Sequence, residues 1–352
     1  MSKNILILWL GAFGFAVTKH LSENNKEQIF YAGEQNPEIF KSIQSTRKHP
    51  YFFRDVELPE NIELVENADL RSLEHKSRNE NIHSLQDTDI IISAIPCQFI
   101  GTAFSELKNH LKDGVIILNL AKGINNQTLK TSSETLEEVL GTDFHASTNS
   151  SLNLFSLQEK RATKSYSYAY LAGGMIAEEL VAWNTLGADI VTEDSKAWAI
   201  LKKLFHSESL DIHLKIWNPK NTELAAALKN IVALILWYYE WLWVGPSTLG
   251  YYFAKLTREM NELIVLLGNS DEIDFSDYAF SGDLIATCFG NSRNRLLGNM
   301  LGKWVSLEEA LAELKSQKKI AEGYETLKWI KSLIVGKEGF EEIEKFCEKF
   351  IF

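Results

Sequence analysis

Cysteine is scarce in this 352-residue sequence: Cys97, Cys288 and Cys347 are an odd set with no Cys-x-x-Cys pair. Such a set makes no disulfide framework and points to a reducing compartment. Cys97 and Cys288 then read as small buried apolar residues. Positive charge is also in deficit, with 36 Lys and Arg against 47 Asp and Glu and a formal net charge of −11. That excludes broad nucleic-acid binding, which needs a basic face to displace counterions. An anionic ligand is left to a locally basic pocket. There is no long hydrophobic run. The greasiest stretch, Ile231–Val244, spans 14 residues, contains Glu240 and follows Lys229. A bilayer needs about 20 apolar residues, so this stretch reads as a buried core helix. At the start, Ile5–Leu10 gives only six apolar residues before Gly11, with no small-residue cleavage site. It is too short for a signal-peptide core and reads as a buried strand. These absences lead us to expect a soluble cytoplasmic protein with no membrane span. No group of Cys, His and carboxylates has metal-ligand spacing, and none of the eight histidines falls in a motif, so no metal is expected.

What is present is ordinary globular composition, 45% hydrophobic and 24% charged. That is enough for a sizeable core. At roughly 150 residues per domain the length points to two or three domains. In the first half, apolar runs at Ile5–Leu10, Gln28–Ala32, Ile90–Ile95, Val115–Leu120 and Ala169–Leu171 alternate with helical patterns at Ala16–Glu23, Phe99–Leu111 and Leu129–Leu140. Short continuous strands alternating with helices predict βαβ units and a parallel sheet buried on both faces. Beyond about residue 215, long helical patterns take over: Thr222–Val244, Leu249–Leu267, Ser292–Leu301, Ser306–Leu314 and Gly323–Leu333. The expected architecture is α/β, an N-terminal Rossmann-type doubly wound parallel sheet followed by a C-terminal all-helical domain. The polar stretch Ser147–Tyr166 reads as a surface loop or an irregular insertion.

The first strand runs into Gly11-Ala12-Phe13-Gly14 and then a helix. Glycines there let the backbone approach a pyrophosphate, which the helix N-terminus stabilises. Glu34, 20 residues after Gly14 at the end of a second strand, is placed to accept from an adenosine ribose and to repel a 2′-phosphate. The G-x-G-x-x-G fingerprint should begin at position 9, which is Trp. If the turn needs a positive φ there, Trp9 is strained; if it does not, the indole crowds the phosphates.

In the second half, Lys229 and Asn230 interrupt an apolar helix, so the lysine either snorkels to the surface or is held in a pocket. Downstream lie Gly282-Asp283, Thr287 and the run Ser292-Arg293-Asn294-Arg295. Ser292 resembles a helix N-cap. Arginine in a first turn opposes the helix dipole unless an anion is bound there; otherwise it is a solvated basic turn. Lys122, just past the strand Val115–Leu120, is either a cleft lysine at the carboxyl edge of the sheet or an ordinary loop lysine.

Taken in order, ELPENI (57–62), IPCQFIG (95–101), NLAKGI (119–124), TLKTSSETLEEVLG (128–141), LAGGMIAEE (171–179), ELAAALKN (223–230), SGDLIATC (281–288), NSRNR (291–295) and AEGYET (321–326) resemble the NAD-dependent glycerol-3-phosphate dehydrogenase family over nearly the whole chain. The resemblance implies a dinucleotide-binding domain at 1–215 and a helical substrate and catalytic domain at 216–352. It implies NAD as cofactor and interconversion of dihydroxyacetone phosphate and sn-glycerol 3-phosphate by hydride transfer, within carbohydrate metabolism and glycerophospholipid biosynthesis. It also implies a homodimer. Lys229 takes the role of general acid/base, with Lys122 and Asp283 completing the catalytic group. Asn230, Thr287, Ser292, Arg293 and Asn294 are implied to hold the phosphorylated substrate. Gly11, Ala12, Phe13, Gly14, Glu34, Phe99, Lys122, Gly174, Arg293 and Glu322 are implied to contact the cofactor. Burial and Lys122 would lower the pKa of Lys229, and Asp283 would raise it. Trp9 and Met175 depart from the family pattern. Two alternatives therefore stand beside the main reading: a relative reducing another small phosphorylated ketone, and a non-catalytic sensor of a phosphorylated metabolite with impaired dinucleotide binding. The Trp- and Tyr-rich stretch Trp237–Trp243 reads as core filling or, less simply, as part of a dimer interface.

Overall fold

The computed structural model describes residues 3–66, 84–125, 127–141, 165–242, 244–268, 274–290, 292–317 and 321–351. Most of the expected loop at 147–166 lies outside these residues. The chain forms two compact units. The first comprises Met1–Ala121, Ser132–Leu171 and Ile176–Pro219; the second comprises Lys122–Thr131, Ala172–Met175 and Lys220–Phe352.

The first unit is built on an eight-stranded sheet of β1 (Ile5–Leu8), β2 (Phe30–Glu34), β3 (Ile62–Glu66), β4 (Ile90–Ser93), β5 (Val115–Asn119), β6 (Tyr166–Ala172), β7 (Leu186–Thr192) and β8 (Leu210–Ile216), in the order β3-β2-β1-β4-β5-β6-β7-β8. The pairs β1/β2, β1/β4, β2/β3, β4/β5, β5/β6 and β7/β8 are parallel. Every residue of β1, β4 and β5 is buried, which is why these strands are continuous apolar runs. Ile5 pairs with both Phe30 and Ile90, so β1 is where the strand order reverses. In such sheets ligands bind beyond the carboxyl ends of the strands at this reversal. Helices α1 (Ala12–Asn24), α2 (Pro37–Thr46), α3 (Cys97–Leu107), α4 (Ser132–Leu140), α5 (Ala177–Val181) and α6 (Ser195–Phe205) complete the unit.

The second unit centres on α7 (Lys220–Glu240), which packs against α8 (Pro246–Leu267), α9 (Asp283–Phe289), α10 (Arg293–Gly302) and α12 (Glu322–Ile334). From Glu223 to Tyr238 every residue of α7 is buried, as expected of a helix that is apolar on all sides. The close approach of α10 depends on Gly298, where a Cβ would run into the Leu234 carbonyl. Trp237 and Tyr238 are 8% and 7% exposed, so their rings fill the core. Arg295 lies over the Trp237 ring, 3.5 Å from its centroid, and donates to the carbonyls of Phe289 and Gly290 at the C-terminus of α9. This first-turn arginine thus serves the negative end of a neighbouring helix. A π-helical turn, Tyr278–Gly282, leads directly into α9. Helices α11 (Leu307–Ser316) and α13 (Glu341–Phe350) complete the unit.

All three cysteines are free and buried. Among the described residues no helix is long and apolar enough to cross a membrane.

Candidate active site

In the first unit, β1 passes into α1 through Trp9, Leu10 and Gly11. Trp9 has φ of 77°, the left-handed region that favours glycine, and its N–H donates to Gly33 at 2.9 Å. A β-carbon clash makes that conformation cost on the order of 1 kcal/mol for an L residue, so the strained alternative is the one realised. Gly11 is the N-cap of α1, and Ala12, Phe13 and Gly14 form its first turn. Their N–H groups lack acceptors within the helix. A Cβ on Gly14 would run into the Trp9 carbonyl, so Gly14 is what lets α1 sit against β1. Glu34, 4% exposed, accepts from Leu10 N–H through Oε2 and from Asn36 N–H through Oε1, both at 2.7 Å. Its carboxylate braces the turn and the start of α2, and its negative charge is fixed at the end of β2.

Beside this turn, at the carboxyl ends of β1, β2 and β4, lies a cavity of about 540 Å³. Trp9, Gly33, Gln35, Phe99 and Glu106 are among its walls, and among the described residues that line it there is no lysine or arginine. Phe99, 55% exposed, is placed by the first turn of α3. A helix N-terminus behind glycines and an aromatic-walled cavity on the same strand ends together suit a dinucleotide.

In the second unit, α7 carries Lys229 into the interior, where it is 6% exposed. Its Nζ lies 2.5 Å from Oδ1 of Asp283, and the same oxygen accepts from Lys122 Nζ at 2.8 Å. Lys122 also donates to the Gly173 carbonyl at 2.7 Å. Burial lowers the Lys229 pKa to about 8; Asp283 opposes the shift and Lys122 adds to it. Oδ2 of Asp283 is buried and has no partner among the described groups. Two ammonium groups and one carboxylate leave the cluster with surplus positive charge when both lysines are protonated.

A chain of amides abuts this cluster. Asn230 donates to Glu322 Oε2 at 3.3 Å, Asn294 donates to Asn230 Oδ1 at 3.0 Å, and Gly323 N–H donates to Asn294 Oδ1 at 2.9 Å. Gly174 packs against the π-turn, where a Cβ would lie 2.6 Å from the Gly282 carbonyl. Thr287 is one turn beyond Asp283 on α9. Ser292 is the N-cap of α10, its hydroxyl accepting from Arg295 N–H at 3.1 Å, and Arg293 is exposed in the first turn. The structure therefore brings Lys122, Lys229 and Asp283 into direct contact, with Asn230, Asn294 and Glu322 linked alongside. Within the other unit it sets Gly11–Gly14, Glu34 and Phe99 around one turn. The Gly173 carbonyl, the π-turn and the bracing role of Glu34 are additions that the residue pattern does not signal; a carbonyl carries no signature in sequence.

Fold and site define a class, the Rossmann-type dinucleotide-dependent oxidoreductases with a helical second unit. The chain belongs to the NAD-dependent glycerol-3-phosphate dehydrogenase family, whose N-terminal part matches residues 4–150 and whose C-terminal part matches residues 219–350. Among curated relatives, the chain is 29% identical over 325 residues to glycerol-3-phosphate dehydrogenase [NAD(P)+] of Thermoanaerobacter sp. (strain X514), covering 92% of this chain and 85% of the relative. It is 28% identical over 333 residues to the protein of the same name from Leptospira biflexa, covering 93% and 86%. In fold it is similar to the crystal structure of glycerol-3-phosphate dehydrogenase from Coxiella burnetii, with a TM-score of 0.75 at 18% identity over 99% of this chain and 96% of that one. The Saccharomyces cerevisiae glycerol-3-phosphate dehydrogenase structure gives a TM-score of 0.74 at 21% identity over 98% and 96%. These relatives favour neither the altered-ketone nor the sensor alternative.

Proposed function

We propose that the protein interconverts dihydroxyacetone phosphate and sn-glycerol 3-phosphate with NAD(H), Lys229 serving as general acid and base. The observation that carries this reading is the buried Lys122–Asp283–Lys229 contact, with the Lys229 pKa lowered to about 8. A lysine at its ordinary pKa of about 10.4 holds its proton too firmly to exchange it near neutrality, and the lowered value removes that obstacle. Bound NADH supplies the hydride. Lys229 donates its proton to the carbonyl oxygen during reduction and accepts it from the hydroxyl during oxidation. Asp283 orients the ammonium through Oδ1, and its unpartnered Oδ2 is placed to accept from a substrate hydroxyl. Lys122 holds Asp283 and adds the positive charge that an oxyanion requires. Thr287, Arg293 and Asn294, with the N-terminus of α10 capped by Ser292, hold the phosphate; Asn230 positions Lys229's surroundings through Glu322 and Asn294. Gly11 to Gly14, Glu34, Phe99, Gly174 and Glu322 serve the cofactor. We assign the cofactor to residues 1–215 and the substrate to 216–352, in a cytoplasmic homodimer; the unpaired thiols support the location, and sedimentation reads the oligomeric state.

The deciding assay is consumption of NADH with dihydroxyacetone phosphate, run in parallel with NADPH. Robust turnover with NADH is expected. NADPH should be used less well, because Glu34 fixes negative charge at the end of β2 and the described residues that line the adjoining cavity offer no cation for a 2′-phosphate. Equal use would show that neither feature faces the 2′ position. Substituting Arg293→Ala should raise the KM for dihydroxyacetone phosphate, with a loss on the order of 2–3 kcal/mol for a charge-assisted pair. An unchanged KM would remove Arg293 from the phosphate site.

A further inference from the structure

We propose that Trp9, paired with Phe99, is the adenine-stacking element of the dinucleotide site; this rests on the cofactor reading above. Position 9 is where the fingerprint uses a glycine for a tight turn and needs no side chain. Here it carries the largest side chain available in a left-handed conformation, with φ of 77°. Strained residues of this kind persist where surrounding structure or function holds them. The indole is not turned away from the site. Its ring lies 6.1 Å from that of Phe99 with the planes inclined by only 17°. Its Nε1 is 3.3 Å from where a Cβ on Gly11 would sit, so the ring lies against the N-cap of α1.

Both rings wall the cavity of about 540 Å³, with Gly33 and Gln35 at the end of β2 and Glu106 on α3. That volume falls within the range of small-molecule sites. The end of β2 is where the adenosine half of a dinucleotide is read, so the wall faces adenine rather than nicotinamide. A flat heterocycle gains from stacking on an aromatic face, whatever its hydrogen-bonding edge.

The test is calorimetric binding of adenosine 5′-monophosphate to the full-length protein, with nicotinamide mononucleotide as control. Trp9→Leu keeps apolar bulk and backbone strain but has no ring, and Trp9→Phe keeps a ring. Trp9→Leu should weaken adenosine 5′-monophosphate about tenfold, while Trp9→Phe stays within about threefold. Nicotinamide mononucleotide should bind all three proteins alike. Phe99 is half-exposed, so Phe99→Leu should fold and should lose affinity for the adenine nucleotide as well. If the Trp9 variants do not fold, wild-type affinity in Phe99→Leu alone overturns the stacking pair. Wild-type affinity in both Leu variants, equal losses in Trp9→Leu and Trp9→Phe, or a loss confined to nicotinamide mononucleotide would each overturn the proposal. A wild-type protein that binds adenosine 5′-monophosphate through Trp9 yet does not oxidise NADH with dihydroxyacetone phosphate would defeat the reaction and leave this assignment standing.

Discussion

Substituting Lys229→Met should abolish turnover, by roughly a thousandfold or more, while NADH still binds. General acid or base catalysis by one positioned group contributes about 10²- to 10⁴-fold, and methionine keeps the length of the side chain without its proton. Fold should survive, because Asp283 keeps its contact with Lys122. The wild-type pH profile should carry the signature of the same group. Lys229 titrates at about 8, so it is protonated below that pH and neutral above it. Ketone reduction needs the proton and should decline as pH rises through about 8. Alcohol oxidation needs the neutral amine and should rise through the same region. In the methionine variant the residual rates should show neither limb. Turnover within tenfold of wild type, or loss of NADH binding, would take the acid/base role away from Lys229.

Asp283→Asn should have the next largest effect, and its direction follows from the charges. Among the groups acting on Lys229, burial and Lys122 lower its pKa and Asp283 raises it. With the carboxylate replaced by a neutral amide, only the lowering influences remain. The Lys229 midpoint should therefore fall below about 8, moving the descending limb of reduction and the ascending limb of oxidation to lower pH. Reduction measured at pH 8 should drop on the order of a hundredfold, as the lysine loses both its proton and the oxygen that aims it. Unfolding measurements would show a smaller loss than the 3–5 kcal/mol of a broken buried ion pair, since the lysine escapes much of the cost by giving up its charge. A profile whose midpoint stays at about 8 would show that Asp283 does not govern the lysine.

The central strands and the helical core are legible in the sequence because burial on all sides leaves unbroken apolar runs: Ile5–Leu8, Ile90–Ser93 and Val115–Asn119 all fall within expected strands, and all but the first two residues of α7 fall within an expected helix. Strands β3, β7 and β8 are not visible this way. β3 and β8 are the sheet edges, where residues such as Glu63, Asp211 and His213 interleave with apolar ones. In β7 the buried Asp189 breaks the run. Helix α13 hides behind its charge, with six of its ten residues glutamate or lysine. At the site, resemblance supplies Lys122, Lys229 and Asp283 as separate motifs 54 to 161 residues apart, whereas their meeting on one carboxylate oxygen is a tertiary fact. Residue types suggest that Glu34 is a ligand for ribose; the structure shows both its oxygens already engaged by backbone. The first-turn arginine pattern is ambiguous for a similar reason, since Arg293 stays exposed while Arg295 turns to Trp237.

The π-helical turn at Tyr278–Gly282 gives the position of Asp283 an unusual dependence on chain length. A π-turn is an α-helical turn widened by one extra residue. Each residue of an α-helix advances about 100° around the axis, so removing one from this turn would swing Asp283 roughly that far from Lys229 with no change in any side chain. The spacing of the acid–base centre is thus recorded in a residue count as well as in residue identities. A lineage that gained or lost one position here would lose the contact outright, whereas substitutions within 278–282 that preserve the count would leave it in place.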